Sequence, residues 1–202
     1  MVVIEREPHR EVRTIPAYLA YEEMNGEALP YKGYLEVLAG NKKLEEIMGS
    51  SSLQGVLASI IHGFLFGNID RKKYLLSNNE TGLHLGTGNN LASDIVIFEK
   101  DKATVNDKYF NIPPKIVIEV DIKVDLSETS WRQERDYVLA KSQKMLDFGV
   151  EKIIWVSTFN KKIFVCSTTQ NWYYADFDQD IPLLEDCVLN VAKLLAEEEI
   201  IY

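Results

Sequence analysis

Between Lys115 and Asp125 the chain reads K-I-V-I-E-V-D-I-K-V-D, with Ile116, Ile118, Val120, Ile122 and Val124 on one side and Glu119, Asp121, Lys123 and Asp125 on the other. Period two is the signature of a strand, because successive side chains leave opposite faces of the pleat. The apolar face suits a core. The other face carries carboxylates and an ammonium group two residues apart, about 6.5 to 7 Å along one line. Such a row is one way to build a site for a divalent cation and an anionic substrate. It equally describes an amphipathic strand whose charged face meets water. Structural charges outnumber functional ones, so the rest of the chain must decide.

Residues 1 to 33 are rich in charge, tyrosine, proline and glycine without a clean period. They are expected to form an N-terminal arm that wraps the body or meets a partner. Tyr34 to Leu38 is predicted as a short strand ended by Ala39-Gly40-Asn41. Ser50-Ser51-Ser52 then supplies a cap for a helix with Leu53, Val56, Leu57, Ile60, Ile61 and Phe64 on one face, and His62 beside that stripe is read as structural. Lys73 to Leu76 and Glu80 to Leu85 are predicted strands. The two glycines of Gly86-Thr87-Gly88-Asn89-Asn90 mark a turn rather than a nucleotide loop, since no apolar-periodic helix follows. Ser93 to Phe98 reads as a buried strand with an acid, Asp94, at its mouth. A helix from about Trp131 to Phe148 ends at Gly149, with Val150 closing the cap. Lys152 to Ser157 is the next strand, and strand, helix, strand implies a parallel crossover unit. Ile163 to Cys166 and Trp172 to Phe177 add strands, and Leu189 to Leu195 a last helix. With no repeats, low-complexity tracts or linkers, a single domain over 1–202 is expected.

The net charge of -9 repels phosphates at long range, so any contact with nucleic acid must be local. The short basic runs Lys42-Lys43, Arg71-Lys72-Lys73 and Lys161-Lys162 read as solvated surface. No apolar run approaches the ~18 residues of a membrane span and no signal-peptide pattern is present, so no membrane contact and a cytoplasmic location are expected. Cys166 and Cys187 form no CxxC, and His9, His62 and His84 stand apart, which disfavours zinc. A cysteine nucleophile paired with His62 or His84 lacks any local signature.

Three groups remain that could converge. Asp94 opens its strand, Glu119 lies on the next one, and sequential strands are commonly neighbours. Two carboxylates meeting in this way suit Mg²⁺ or Mn²⁺. Lys141 stands three residues after Val138 and four before Met145, inside the stripe that also contains Phe148. Burying an unpaired ammonium costs several kcal/mol, so Lys141 either lies over carboxylates of the sheet or snorkels from the stripe's edge.

Four segments in order carry a resemblance: Ser93-Asp94-Ile95-Val96; Pro114-Lys115-Ile116-Val117-Ile118-Glu119-Val120; Lys141 eight residues before Gly149-Val150; and Glu151-Lys152-Ile153-Ile154-Trp155-Val156. Over about Tyr34 to Leu195 the chain resembles the Uma2 family of restriction-endonuclease-like proteins, a branch of the PD-(D/E)XK nuclease superfamily. The resemblance implies an α+β fold, a mixed central sheet flanked by helices. It also implies phosphodiester hydrolysis of DNA dependent on Mg²⁺ or Mn²⁺, with Asp94 and Glu119 as metal ligands and Lys141 as a catalytic lysine carried on the helix. Glu36 resembles the family's N-terminal strand acid, or is structural. The chain departs from the family in having Gln54 where a histidine often starts the first core helix. Asp121-Ile122-Lys123 is itself a D-x-K sequence, so Lys123 is an alternative lysine and Asp121 an alternative ligand or orienting group. Cutting both strands of a duplex calls for two sites related by a two-fold axis, hence a homodimer, with the tyrosine-rich arm as part of its interface.

Overall fold

The computed structural model describes residues 14–202 apart from 128 and 132; whatever the arm does over 1–13 lies outside the described residues. In chain order the main elements are β1 (Ala20–Met24), β2 (Glu27–Pro30), α1 (Tyr34–Leu38), α2 (Ser52–Asn68), β3 (Tyr74–Gly86), β4 (Asn89–Glu99) and β5 (Ile116–Val120). There follow α3 (Glu134–Phe148), β6 (Lys152–Ser157), β7 (Lys162–Ser167), β8 (Tyr173–Asp176), β9 (Ile181–Leu184), β10 (Cys187–Leu189) and α4 (Val191–Glu197). Eight strands form one sheet in the order β2-β1-β4-β5-β6-β7-β8, with β3 also paired to β4. It is mostly antiparallel and flanked by helices. The exception is β5–β6, parallel from Ile116↔Lys152 to Val120↔Val156, as the crossover through α3 requires.

Local chemistry explains the helix ends. Ser51 Oγ accepts from Gln54 N at 3.2 Å and starts α2. Its buried stripe runs through Gln54, Leu57, Ile61 and Leu65, leaving Val56 exposed, so the apolar face is rotated from the predicted one. At the end of α3, Gly149 takes φ 118°, and its N–H and that of Val150 both donate to Met145 O, at 3.2 and 3.0 Å.

The sheet separates two cores. One lies under α2 and α4 and takes Ile116, Ile118 and Val120 of β5. The other lies under α3 and takes Val117 with Tyr137, Met145 and Trp155. All five residues of β5 are therefore buried, so the water-facing reading of this strand fails.

Four expectations are corrected. Residues 20–30 are not part of an irregular arm: they form a hairpin that joins the sheet where Glu23 pairs with Asn90. Asn25 (φ 57°) and Gly26 (φ 77°) supply the two left-handed residues of a tight hairpin turn. Tyr21 packs on Tyr31 within the subunit, while Tyr18 is exposed. Second, Tyr34–Leu38 is a helix following Gly33 (φ 87°), since five residues are too few for periodicity to separate helix from strand. Third, the 115–125 strand stops at Val120. Asp121 turns left-handed (φ 59°) and its carboxylate accepts from Thr158 N at 2.8 Å and Thr158 Oγ1 at 2.6 Å, which takes it off the Glu119 face. Fourth, β3 is one strand interrupted by a bulge at Asn79 (φ 66°) and Glu80 (φ 56°).

Candidate active site

Lys141 belongs to the buried face of α3, with Tyr137 four residues before it and Met145 four after. Its side chain is only 2% exposed. Its Nζ donates to Glu22 Oε1 at 2.6 Å and Ala92 O at 2.9 Å, and lies 3.1 Å from Glu119 Oε1. The aromatic faces of Tyr137 and Trp155 lie 5.8 and 5.5 Å from the ammonium. Glu22, on β1, is held as firmly: Oε1 accepts from Ala92 N at 3.0 Å and Oε2 from Tyr137 Oη at 2.6 Å. Glu119 Oε1 also accepts from Ser93 Oγ at 3.0 Å. Burial by itself would depress the pKa of Lys141, but Glu119 and Glu22 outweigh it and hold the lysine above its usual range. Burial drives Glu119 the other way, up to about 7, against the pull of Lys141 and with help from Asp94 and Glu22.

Asp94 lies beside this triad. One rung beyond the pair Ile95↔Ile118, the β4–β5 register sets it opposite Glu119. Leu91, Val96 and Phe98 all pack under α3, so the alternation of β4 slips by one between Leu91 and Val96. The β3 bulge faces this slip, between the pairs Asn78↔Ile95 and Thr81↔Ser93. As a result two consecutive side chains address β5: Ser93 bonds Glu119, and Asp94 Oδ2 accepts from Val120 N at 2.8 Å. Asp94 Oδ1 accepts from Lys123 Nζ at 2.9 Å, and Lys123 also reaches Glu80 Oε1 at 2.7 Å.

Of the residues singled out in the sequence, Lys141 meets Glu119, and Lys123 meets Asp94. Two do not join. Glu36 is exposed on α1, where its carboxylate accepts from Asn41 Nδ2 at 3.2 Å, and Asp121 is committed to Thr158. Glu22, Tyr137, Ser93 and Glu80 were not foreseen. The Asn25-Gly26 pair between A-Y-E-E-M and E-A-L-P was the available signal for Glu22, because it marks a hairpin whose strand carries that acid. Cys166 is fully buried, and burial pushes its thiol up to about 11, away from the thiolate a nucleophile needs.

A groove of about 800 Å³ is lined in part by Tyr31, Lys32, Lys42, Gln54, Lys123 and Trp155; it meets the charged cluster through Lys123, while Glu22, Asp94, Glu119 and Lys141 lie outside its lining. Gln54 Nε2 donates to Val120 O at 2.5 Å, which ties the start of α2 to the end of β5.

No protein-family model matches the chain. No curated protein matches it either. Among solved structures, it is similar to a crystal structure of a protein from Anabaena variabilis ATCC 29413, described as "a putative nuclease belonging to DUF820". The TM-score is 0.65 at 14% identity, with 90% of this chain and 93% of that chain covered. The two proteins share a fold. DUF820 is the Uma2 family that the sequence resembles, and the mixed sheet with its flanking helices is the architecture that resemblance implies. Among the described residues no helix is long and apolar enough to cross a membrane.

The neighbour's description as a putative nuclease implies a divalent metal in that protein, and carboxylates that could serve as oxygen donors to such an ion are present here. Glu22, Glu80, Asp94 and Glu119 contribute four carboxylates against the ammonium groups of Lys123 and Lys141, leaving two negative charges when all are ionised. Among the described residues no three acidic, histidine or cysteine side chains gather closely enough to hold an ion alone. Two carboxylates, with water and a substrate phosphate completing the shell, is the mode Mg²⁺ uses.

Proposed function

We propose that the protein is a DNA endonuclease that hydrolyses phosphodiester bonds with Mg²⁺ or Mn²⁺, held by Asp94 and Glu119, and with Lys141 as the catalytic lysine. One observation carries the reading: an ammonium 2% exposed and shared by Glu119 and Glu22. A buried ionic triad is no more stabilising than an apolar set of equal volume, so stability alone gives no reason to keep it. A bound divalent ion supplies Lewis-acid activation of water and neutralisation of the phosphate. The chain's own part is positional. Lys141, its pKa held high, stays protonated at neutral pH, and with its donors taken by Glu22, Ala92 O and Glu119 it offers positive charge and not a base. Glu22 and Tyr137 fix its direction. The groove gives DNA a local approach in a chain of net charge -9.

The deciding experiment is cleavage of plasmid and single-stranded DNA with Mg²⁺ or Mn²⁺ by wild type beside Glu119→Ala. Metal-dependent cutting lost in Glu119→Ala supports the reading, and cutting that survives the substitution removes it. Lys141→Ala and Lys123→Ala, compared in the same assay, decide between the two lysines. The acidity of the chain favours a second reading, a nuclease fold that binds DNA or protein without cutting. Wild type that retains DNA but never cleaves it belongs there. We further propose a cytoplasmic homodimer, since duplex cleavage needs two sites. A monomer by light scattering at micromolar concentration ends that proposal.

A further inference from the structure

Lys123 is placed with more care than a surface lysine needs. The left-handed turn at Asp121 takes the chain off the end of the central strand β5, Lys32 N donates to Lys123 O at 2.9 Å, and Val124 bridges to Tyr31. The side chain is 14% exposed, and its ammonium spans Asp94 Oδ1 at 2.9 Å and Glu80 Oε1 at 2.7 Å. Glu80 stands at the bulge, where two consecutive non-glycine residues adopt the left-handed backbone that a side chain's Cβ disfavours. Thr81 Oγ1 braces that bulge by bonding Asn78 O at 3.1 Å and Ser77 Oγ at 2.8 Å.

Asp94 Oδ2 is committed to Val120 N, so Oδ1 is the oxygen left for an ion, and Lys123 holds it. A second cation at that oxygen would meet the ammonium at short range inside the protein, where like charges repel strongly. Lys141 cannot yield in its place, being bound to Glu22, Glu119 and Ala92 O at 2% exposure. Lys123, by contrast, lines the groove and has somewhere to go.

We infer that Lys123 is an internal counter-cation that competes with the divalent ion for Asp94 Oδ1, and that ion binding turns its ammonium into the groove. The inference rests on the metal reading above. It makes ion and anionic substrate cooperative, because each bound ion delivers one positive charge to the surface the phosphates would follow.

The test is calorimetric titration of the full chain with Mn²⁺ without DNA, on wild type, Lys123→Met and Lys42→Met. Lys42 lines the same groove and makes no ion pair with a described residue, so it controls for loss of charge alone. Lys123→Met should bind Mn²⁺ about tenfold more tightly and Lys42→Met within about twofold of wild type. Affinity unchanged or weakened in Lys123→Met overturns the inference, as does an equal gain in Lys42→Met. Should Lys123→Met not fold, wild type answers instead: the ε-methylene NMR signal of Lys123, assigned through Lys123→Arg, should shift on Mg²⁺ saturation. A signal that stays put while the ion binds overturns this inference alone. No ion binding by any variant removes the metal reading with it.

Discussion

The two faces of one sheet are built on different terms. Under α2 and α4 the core is a large apolar cluster, with Ile95, Ile97, Ile118 and Ile154 from three adjacent strands, and the buried polar groups on those helices, Gln54 and the capping Asn190, are neutral. Under α3 the same strands and β1 bury Glu22, Ser93, Glu119 and Lys141 among aromatic and aliphatic side chains. Strand β5 serves both faces, sending Ile118 one way and Glu119 the other. The first face is stabilised by volume and contact, which tolerate exchange among apolar residues of similar size. The second depends on charge matching, which tolerates the loss of no single partner. A chain that needed only stability could have used the first solution twice.

Stability measurements on single variants can break this contrast. The largest effect should come from Lys141→Met, which strands Glu22 and Glu119 in the interior: about 3 to 5 kcal/mol by urea unfolding. The triple variant Glu22→Gln, Lys141→Met, Glu119→Gln should recover more than half of that loss. A triple variant as unstable as the single one would mean that packing, not stranded charge, dominates under α3. Tyr137→Phe removes the donor to Glu22 Oε2 and should cost about 2 kcal/mol, read from the same unfolding curves.

On the apolar face, Ile118→Val should cost only about 1 kcal/mol, the value of one buried methylene. If thermal melts show Ile118→Val as damaging as Lys141→Met, the two faces do not differ as described. The smallest effect belongs to the rim. Lys115 Nζ meets Glu151 Oε1 at 2.7 Å, but Glu151 is largely exposed, and Lys115→Ala should change stability by less than about 1 kcal/mol, fading further in 0.5 M salt.

What could be read without the structure was local. Strand β6 over Lys152–Ser157, the glycine stop at Gly149 and the parallel crossover follow from patterns whose causes lie within a few residues, alternation and a left-handed cap. For Lys141 the pattern left a carboxylate partner and a snorkelling side chain both open, and the structure supplies the carboxylates. The hairpin carrying Glu22 was also legible, through Asn25-Gly26. Other features were settled only by residues distant in sequence. Alternation continues past Val120, yet Asp121 ends the strand because Thr158, on the next connection, takes its carboxylate. Nothing near Glu80 announces a bulge, since a bulge is a mismatch of register with a partner strand. Whether Asp94 and Ser93 both face β5, and which carboxylates each lysine meets, depends on that slip of register. Side-chain periodicity specifies a face, but the partner on that face is chosen by strands that meet only when the sheet is assembled.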